Sequence, residues 1–239
     1  MPVRCSDAAR YCRPSKRDGE RRFMVRQLVF VDGIGGRAAM RKQLRRFFAA
    51  EGYEVHCFDY RAGSESIGDI EARLAQLLAS IAASGDYQLI GYSFGGVLAR
   101  RVLLDASFDL PLPHRLVMLA SPSAASTLSS RFRHWRLYRR LTGECGQLAA
   151  DAEAMQAIGR PAVPTACVYG TWPWLGVLGL LVGFGNWHDG MLTRDEVAPQ
   201  DFEQAVPMRV SHAFIPAHGP ALQAMRAWFE AESASARAG

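Results

Sequence analysis

One pentad constrains this chain more than any other feature. The apolar run Tyr87-Gln88-Leu89-Ile90 ends in Gly91-Tyr92-Ser93-Phe94-Gly95, and a helix-like segment starting with Gly96 follows at once. Gly-x-Ser-x-Gly between a strand and a helix predicts a sharp turn with the serine at its tip. The spacing has a steric reason. A hydroxyl that stands clear of a sheet edge needs strained backbone at the serine, and the residues two before and two after then approach other backbone too closely for a Cβ. The following helix aims free N–H groups and a partial positive charge at the serine. An ordinary strand-to-helix turn with a solvent-facing serine also fits the pentad, so partners elsewhere in the chain must decide the role of Ser93.

The rest of the chain supplies a sheet for that turn. Gln27-Leu28-Val29-Phe30-Val31 predicts a buried strand. It ends in Asp32-Gly33-Ile34-Gly35-Gly36, and a helix over 37–50 follows, closed by Gly52. Next come a strand centred on Val55-His56-Cys57-Phe58 and a helix over 64–83, with Ser66 placed to cap it. Further strands are predicted over 115–120, 165–169 and 206–210, the last marked as a sheet edge by Pro207. A helix over 220–231 closes the pattern. Strands alternating with helices predict an α/β protein: a mainly parallel central sheet of about six strands, helices on both faces and a small helical cap. The expected organisation is one domain over 25–232, with 123–160 as the cap-like insertion and 233–239 as a frayed end.

Two stretches between strands stand out. The first, 131–140, is basic and aromatic, and Phe132, Trp135 and Tyr138 recur every third residue, so they share a face. It reads either as a packed helix with a solvated arginine side or as a face for anionic groups, of a substrate or of lipid. The second, 172–185, is apolar but shorter than the roughly 20 residues that span a bilayer. It predicts a lid-like loop beside an apolar site, which makes Trp172 and Trp174 pocket candidates.

Charge and cysteines mainly exclude. Residues 1–22 carry +4 of the net +5 and have no apolar signal core, so a disordered basic tail over 1–24 is expected, with Met24 as an alternative start. The remainder is close to neutral and gives no reason to expect a nucleic-acid partner. Five scattered cysteines without a C-x-x-C pair indicate neither a disulfide framework nor a metal site, and a cytoplasmic location fits them.

In a parallel sheet, sites form beyond the carboxyl ends of the strands. Asp32-Gly33-Ile34-Gly35, Ser93, Asp189 and His212 all fall there. Three strings then carry a resemblance: Gly91-Tyr92-Ser93-Phe94-Gly95-Gly96, Asn186-Trp187-His188-Asp189-Gly190-Met191-Leu192-Thr193, and Val210-Ser211-His212 before a C-terminal helix. Over about 25–230 the chain resembles the α/β-hydrolase superfamily, in particular its small bacterial lipases and esterases. The second string resembles their acid-bearing N-D-G-x-V loop with two residues inserted.

The resemblance implies a serine nucleophile, Ser93, a base, His212, and an acid, Asp189, with the backbone N–H groups of Ile34 and Phe94 as an oxyanion hole. It implies no cofactor. His218 competes with His212, and Asp195 and Glu196 compete with Asp189. Asp32, Tyr92 and His188 join the two tryptophans as substrate-pocket candidates. Asp32 departs from the family, which usually has histidine there; a carboxylate opposes a developing oxyanion unless it is neutral or tied up by N–H groups or an arginine. The expected function is hydrolysis of a carboxylic ester of an apolar acyl group. The alternatives are a type II thioesterase or acyltransferase acting on carrier- or CoA-bound acyl chains, and a non-catalytic binding module. Peripheral membrane contact stays open, as do the acyl group and the oligomeric state.

Overall fold

The computed structural model describes residues 26–36, 38–173, 184, 187–198 and 203–235, with the side chains of 232–235 excepted. The expected basic tail and Trp174 lie outside the described residues. Strands β1 (Arg26–Val31), β2 (Tyr53–Phe58), β3 (Tyr87–Tyr92), β4 (Arg115–Leu119), β5 (Thr165–Gly170) and β6 (Gln204–Met208) form one parallel sheet in the order β2-β1-β3-β4-β5-β6. Helices α1 (Ala38–Ala50), α2 (Ile67–Ala82) and α3 (Phe94–Leu104) link the first four strands. Helices α4 (Thr127–Phe132), α5 (Arg136–Ala149) and α6 (Ala152–Ala157) lie between β4 and β5, the short α7 (Arg194–Val197) lies between β5 and β6, and α8 (Gly219–Ser235) ends the described chain.

Alternation along the strands builds a core on each face. Val29, Val31, Leu89, Leu116 and Met118 pack with α2, α3 and the inner side of α5. Leu28, Phe30, Ile90, Val117 and Leu119 pack on the other face with Leu44 and Phe48 of α1 and Leu222, Met225 and Phe229 of α8. Ser66 caps α2 as its sequence suggests, its side chain accepting the Asp69 N–H at 3.1 Å.

The strand order reverses between β1 and β3, so a crevice opens beyond their carboxyl ends. The Asp32–Gly36 loop and Ser93 both border it. Element boundaries shift by a few residues from the sequence expectation, and α8 runs to Ser235, past the end expected at 231 and into the 233–239 stretch expected to be frayed. β6 lies at the sheet edge, where Pro207 costs no ladder bond, but it ends at Met208 rather than at 210. Val210 is buried for a different reason: it packs in the α1/α8 core, and its carbonyl accepts the Trp172 N–H at 3.3 Å. The 123–160 stretch is broken into the three helices α4, α5 and α6. Gly143 stands at φ 52°, and a Cβ there would overlap the Ala62 carbonyl, so α5 kinks where it docks on the loop after β2.

Candidate active site

Ser93 sits at φ 52°, ψ −128°, a conformation that costs a non-glycine residue about 1–3 kcal/mol. Its surroundings hold it there. The Ser93 N–H donates to the Leu119 carbonyl at 2.9 Å, and the Ser93 carbonyl accepts the Gly96 N–H at 3.1 Å. A Cβ on Gly95 would overlap the carbonyl oxygens of Val31 and Asp32, and one on Gly91 would overlap Gly96. The pentad's glycines are therefore demanded by backbone packed against backbone. Phe94 opens α3, so its N–H has no carbonyl one turn back within the helix and points toward the serine end.

Three side chains from three loops meet at this turn. His212 Nε2 lies 2.9 Å from Ser93 Oγ, and His212 Nδ1 lies 2.7 Å from Asp189 Oδ2. The acid's other oxygen, Oδ1, accepts the N–H groups of Met191 at 2.9 Å and Leu192 at 2.8 Å. The His212 N–H donates to the Asp189 carbonyl at 3.0 Å, and the Tyr92 hydroxyl donates to the His212 carbonyl at 3.0 Å. His212 and Asp189 are almost wholly buried, at 3% and 2% exposure. Although Asp189 comes long after β5, its loop folds back: a Cβ on Gly170, at the end of β5, would stand 2.8 Å from the Asp189 Cβ.

The rival residues lie elsewhere. Glu196 closes a capping box with Thr193 and accepts the Thr127 N–H, so it fastens α7 to α4. Asp195 is exposed. His218 ends the 3-10 turn His212–Ala217, and its carbonyl accepts the Leu222 N–H.

Asp32 is buried at the head of the glycine loop, at 3% exposure. Its Oδ1 accepts the Gly33 N–H at 2.9 Å, and Arg41 Nη1 stands 3.7 Å from its Oδ2. Burial pushes the Asp32 carboxyl above the usual carboxylate range, while the Gly33 N–H and Arg41 pull it back down. Arg41 is itself held by Asp59 at 2.7 Å. The carboxylate is thus tied to one backbone N–H and faced by one cation, the two conditions under which an acid at this position is tolerable.

A cavity of about 270 Å³ opens over Ser93 and His212. Asp32 and Tyr92 line it, as do Ile34 and Phe94. Two other pocket candidates do not. Trp172 lies in solvent, 47% exposed, with the Arg209 guanidinium 4.6 Å from its ring centre. His188 is spent on its own loop: Nδ1 accepts the Gly190 N–H at 3.2 Å and its ring packs on Phe184. Their apolar or aromatic character signalled contact, but not contact with the cavity. Conversely, Arg41, Met191, Leu192, Ser126, Ser129, Tyr138 and Thr142 line it without having been singled out as site residues. The signal for Arg41 was a charge one turn into the helix after the glycine loop, and Tyr138 stood in the aromatic stretch.

The profile described as the alpha/beta hydrolase family matches residues 28–232. The chain belongs to that family. A search of curated protein sequences finds no match. Among solved structures, the mature lipase BlEst2 of Bacillus licheniformis is similar with a TM-score of 0.71 at 16% identity, over 86% of this chain and 92% of that one. A metagenomic carboxyl esterase is similar with a TM-score of 0.63 at 16% identity, over 88% and 76%. The RedJ thioesterase of the Streptomyces coelicolor prodiginine pathway gives a TM-score of 0.52 at 16% identity, over 87% and 90%. At these identities the likeness is one of fold. As an α/β hydrolase, the chain carries its serine turn at the carboxyl edge of a parallel sheet, and no helix among the described residues is long and apolar enough to cross a membrane.

Proposed function

We propose that this α/β hydrolase cleaves carboxylic esters of apolar acyl groups through an acyl-enzyme. One observation carries the reading: the hydrogen-bonded chain Ser93–His212–Asp189, at 2.9 and 2.7 Å, on a strained serine turn. His212 Nε2 takes the Ser93 proton as Oγ attacks the ester carbonyl. The oxyanion that forms is met by the N–H groups of Ile34 and Phe94, donors worth roughly 3–4 kcal/mol each in such sites. The tetrahedral intermediate collapses, His212 returns the proton to the leaving alcohol, and Ser93 keeps the acyl group. Water, deprotonated by His212, then releases the acid and restores the serine. Asp189 holds the imidazole in the tautomer with Nδ1–H and stabilises its cationic form.

The three helices between β4 and β5 serve as a cap, a role supported by Ser126, Leu128, Tyr138 and Thr142 lining the cavity. Outside the cavity the same region presents Trp135, Leu137 and Leu141, each more than 60% exposed, among exposed arginines 131, 136, 139 and 140. That surface suits contact with an anionic, apolar interface. Free thiols at Cys57, Cys145 and Cys167 suit a cytoplasmic location. The test is turnover of p-nitrophenyl esters of graded acyl length beside the matching acyl-CoAs, with Ser93→Ala as control. Ester turnover lost in Ser93→Ala supports the reading. Turnover confined to acyl-CoAs replaces ester by thioester, and equal turnover by wild type and Ser93→Ala sinks both.

A further inference from the structure

One buried cation has no part in the Ser93 chemistry. Arg100 stands about two turns after Ser93 on α3, whose first residue is Phe94. It is 5% exposed. Burial pushes its guanidinium down to about 10, so it stays charged at neutral pH, and among the described residues no carboxylate offsets that charge. A buried charge is costly unless hydrogen bonds hold it, so its acceptors are informative. Nε donates to the Gly159 carbonyl at 3.1 Å, and Nη1 donates to the Pro122 carbonyl at 3.4 Å.

The two carbonyls are distant in sequence but occupy matching places. Pro122 lies on the connection from β4 into α4, and Gly159 on the connection from α6 out to β5. One guanidinium therefore ties both ends of the cap to the helix that begins at the nucleophile. The arginine fork presents donors on separate nitrogens, a reach that the single nitrogen of lysine lacks. Pro122 itself lines the cavity, as do Ser126 and Leu128 just beyond it. The incoming connection has a second fastening, the Ser123 N–H on the Glu196 carbonyl at 2.7 Å. Removing the Arg100 side chain therefore loosens the cap without freeing it.

We infer that Arg100 is a positioning residue: it sets the cavity wall at Pro122 against Ser93, and with it the tightness of substrate binding rather than the reactivity of the serine. The inference rests on the cap and ester readings for its choice of ligand, but binding tests it without turnover.

The experiment is calorimetric titration of the Ser93→Ala protein with ethyl octanoate, with and without Arg100→Met. Methionine fills much of the space but donates nothing, so affinity should fall about tenfold or more, the scale of one hydrogen bond to a charged group. In proteins that keep Ser93, Arg100→Met should raise KM for p-nitrophenyl octanoate by a similar factor with kcat held, the pattern of lost uniform binding. Sulfonylation of Ser93 by methanesulfonyl fluoride, a probe too small to need the cap wall, should keep its wild-type rate. Arg100→Lys should lie between wild type and Arg100→Met, and it carries the test if Arg100→Met does not fold. Unchanged affinity, or a sulfonylation rate that falls as far as the affinity does, overturns the positioning role. Wild-type affinity in Arg100→Met beside intact Ser93-dependent hydrolysis refutes the positioning role alone, whereas Arg100-dependent binding without any hydrolysis refutes the ester reading alone.

Discussion

Replacing Arg41 by glutamine should slow the enzyme, and Asp32→Asn in the same background isolates the share of the loss that comes from Asp32. Asp32 precedes Ile34 by two residues, and two extended residues span about 7 Å. At an effective dielectric constant of about 20, two unit negative charges about 7 Å apart repel by about 2.4 kcal/mol. An oxyanion held by Ile34 would feel that repulsion from an ionised Asp32, which amounts to about sixtyfold in rate. Arg41, 3.7 Å from Asp32 Oδ2, offsets that negative charge. Arg41→Gln removes the opposing charge, so sixtyfold is the upper limit of the loss. The sign with pH follows from burial. The folded-state Asp32 carboxyl titrates above its ordinary value, is neutral below that point and ionises as pH rises through it. Removing Arg41, which pulls it down, moves the point higher still. Hence the ratio of Arg41→Gln/Asp32→Asn to Arg41→Gln kcat/KM, measured on one p-nitrophenyl ester across a pH series, should be near one at low pH and climb as pH rises. Using the ratio cancels every pH dependence common to both proteins. Asp32→Asn in the Arg41→Gln background should restore the rate. A ratio flat with pH, or a double variant as slow as the single one, refutes the electrostatic account.

Other substitutions probe the frame and the outer surface. Asp189→Asn would place an amide N–H₂ against His212 Nδ1 and force the wrong tautomer, so kcat should fall by about 10⁴-fold while the melting profile changes little. Gly95→Ala drives a methyl into the Val31 and Asp32 carbonyls, and urea unfolding should register a loss of about 1–3 kcal/mol or more together with lost activity. Binding to phosphatidylglycerol vesicles, followed by sedimentation, should weaken in a Trp135→Ser/Leu137→Ser variant and with added salt; binding unchanged by both would remove the membrane role of that surface.

The fold was legible because its signals are local. Unbroken apolar strands such as Leu28–Val31 and helices with apolar residues at helical spacing, as in Ile70, Leu74, Leu78 and Ile81, point to one architecture. The serine, acid and histidine were legible because each follows a strand or lies in a motif string. What escaped depends on tertiary contact. Arg41 reads in sequence as one of several solvated charges on α1, and only the fold brings it to Asp32. Ser129 and Tyr138 belong to different helices, joined across a break that periodicity does not reveal. Trp172 shows the converse. Its place in an apolar stretch made it a pocket candidate, but the partner it packs on was not encoded, and it stands largely exposed beside Arg209.

The central claim is that Ser93 is an activated nucleophile, and a fluorophosphonate probe tests it most directly. Incubation of the native protein followed by peptide mapping should find one covalent adduct, on Ser93, absent in Ser93→Ala and strongly slowed in His212→Ala. A folded protein that takes no label, or takes it at a residue other than Ser93, would contradict the account.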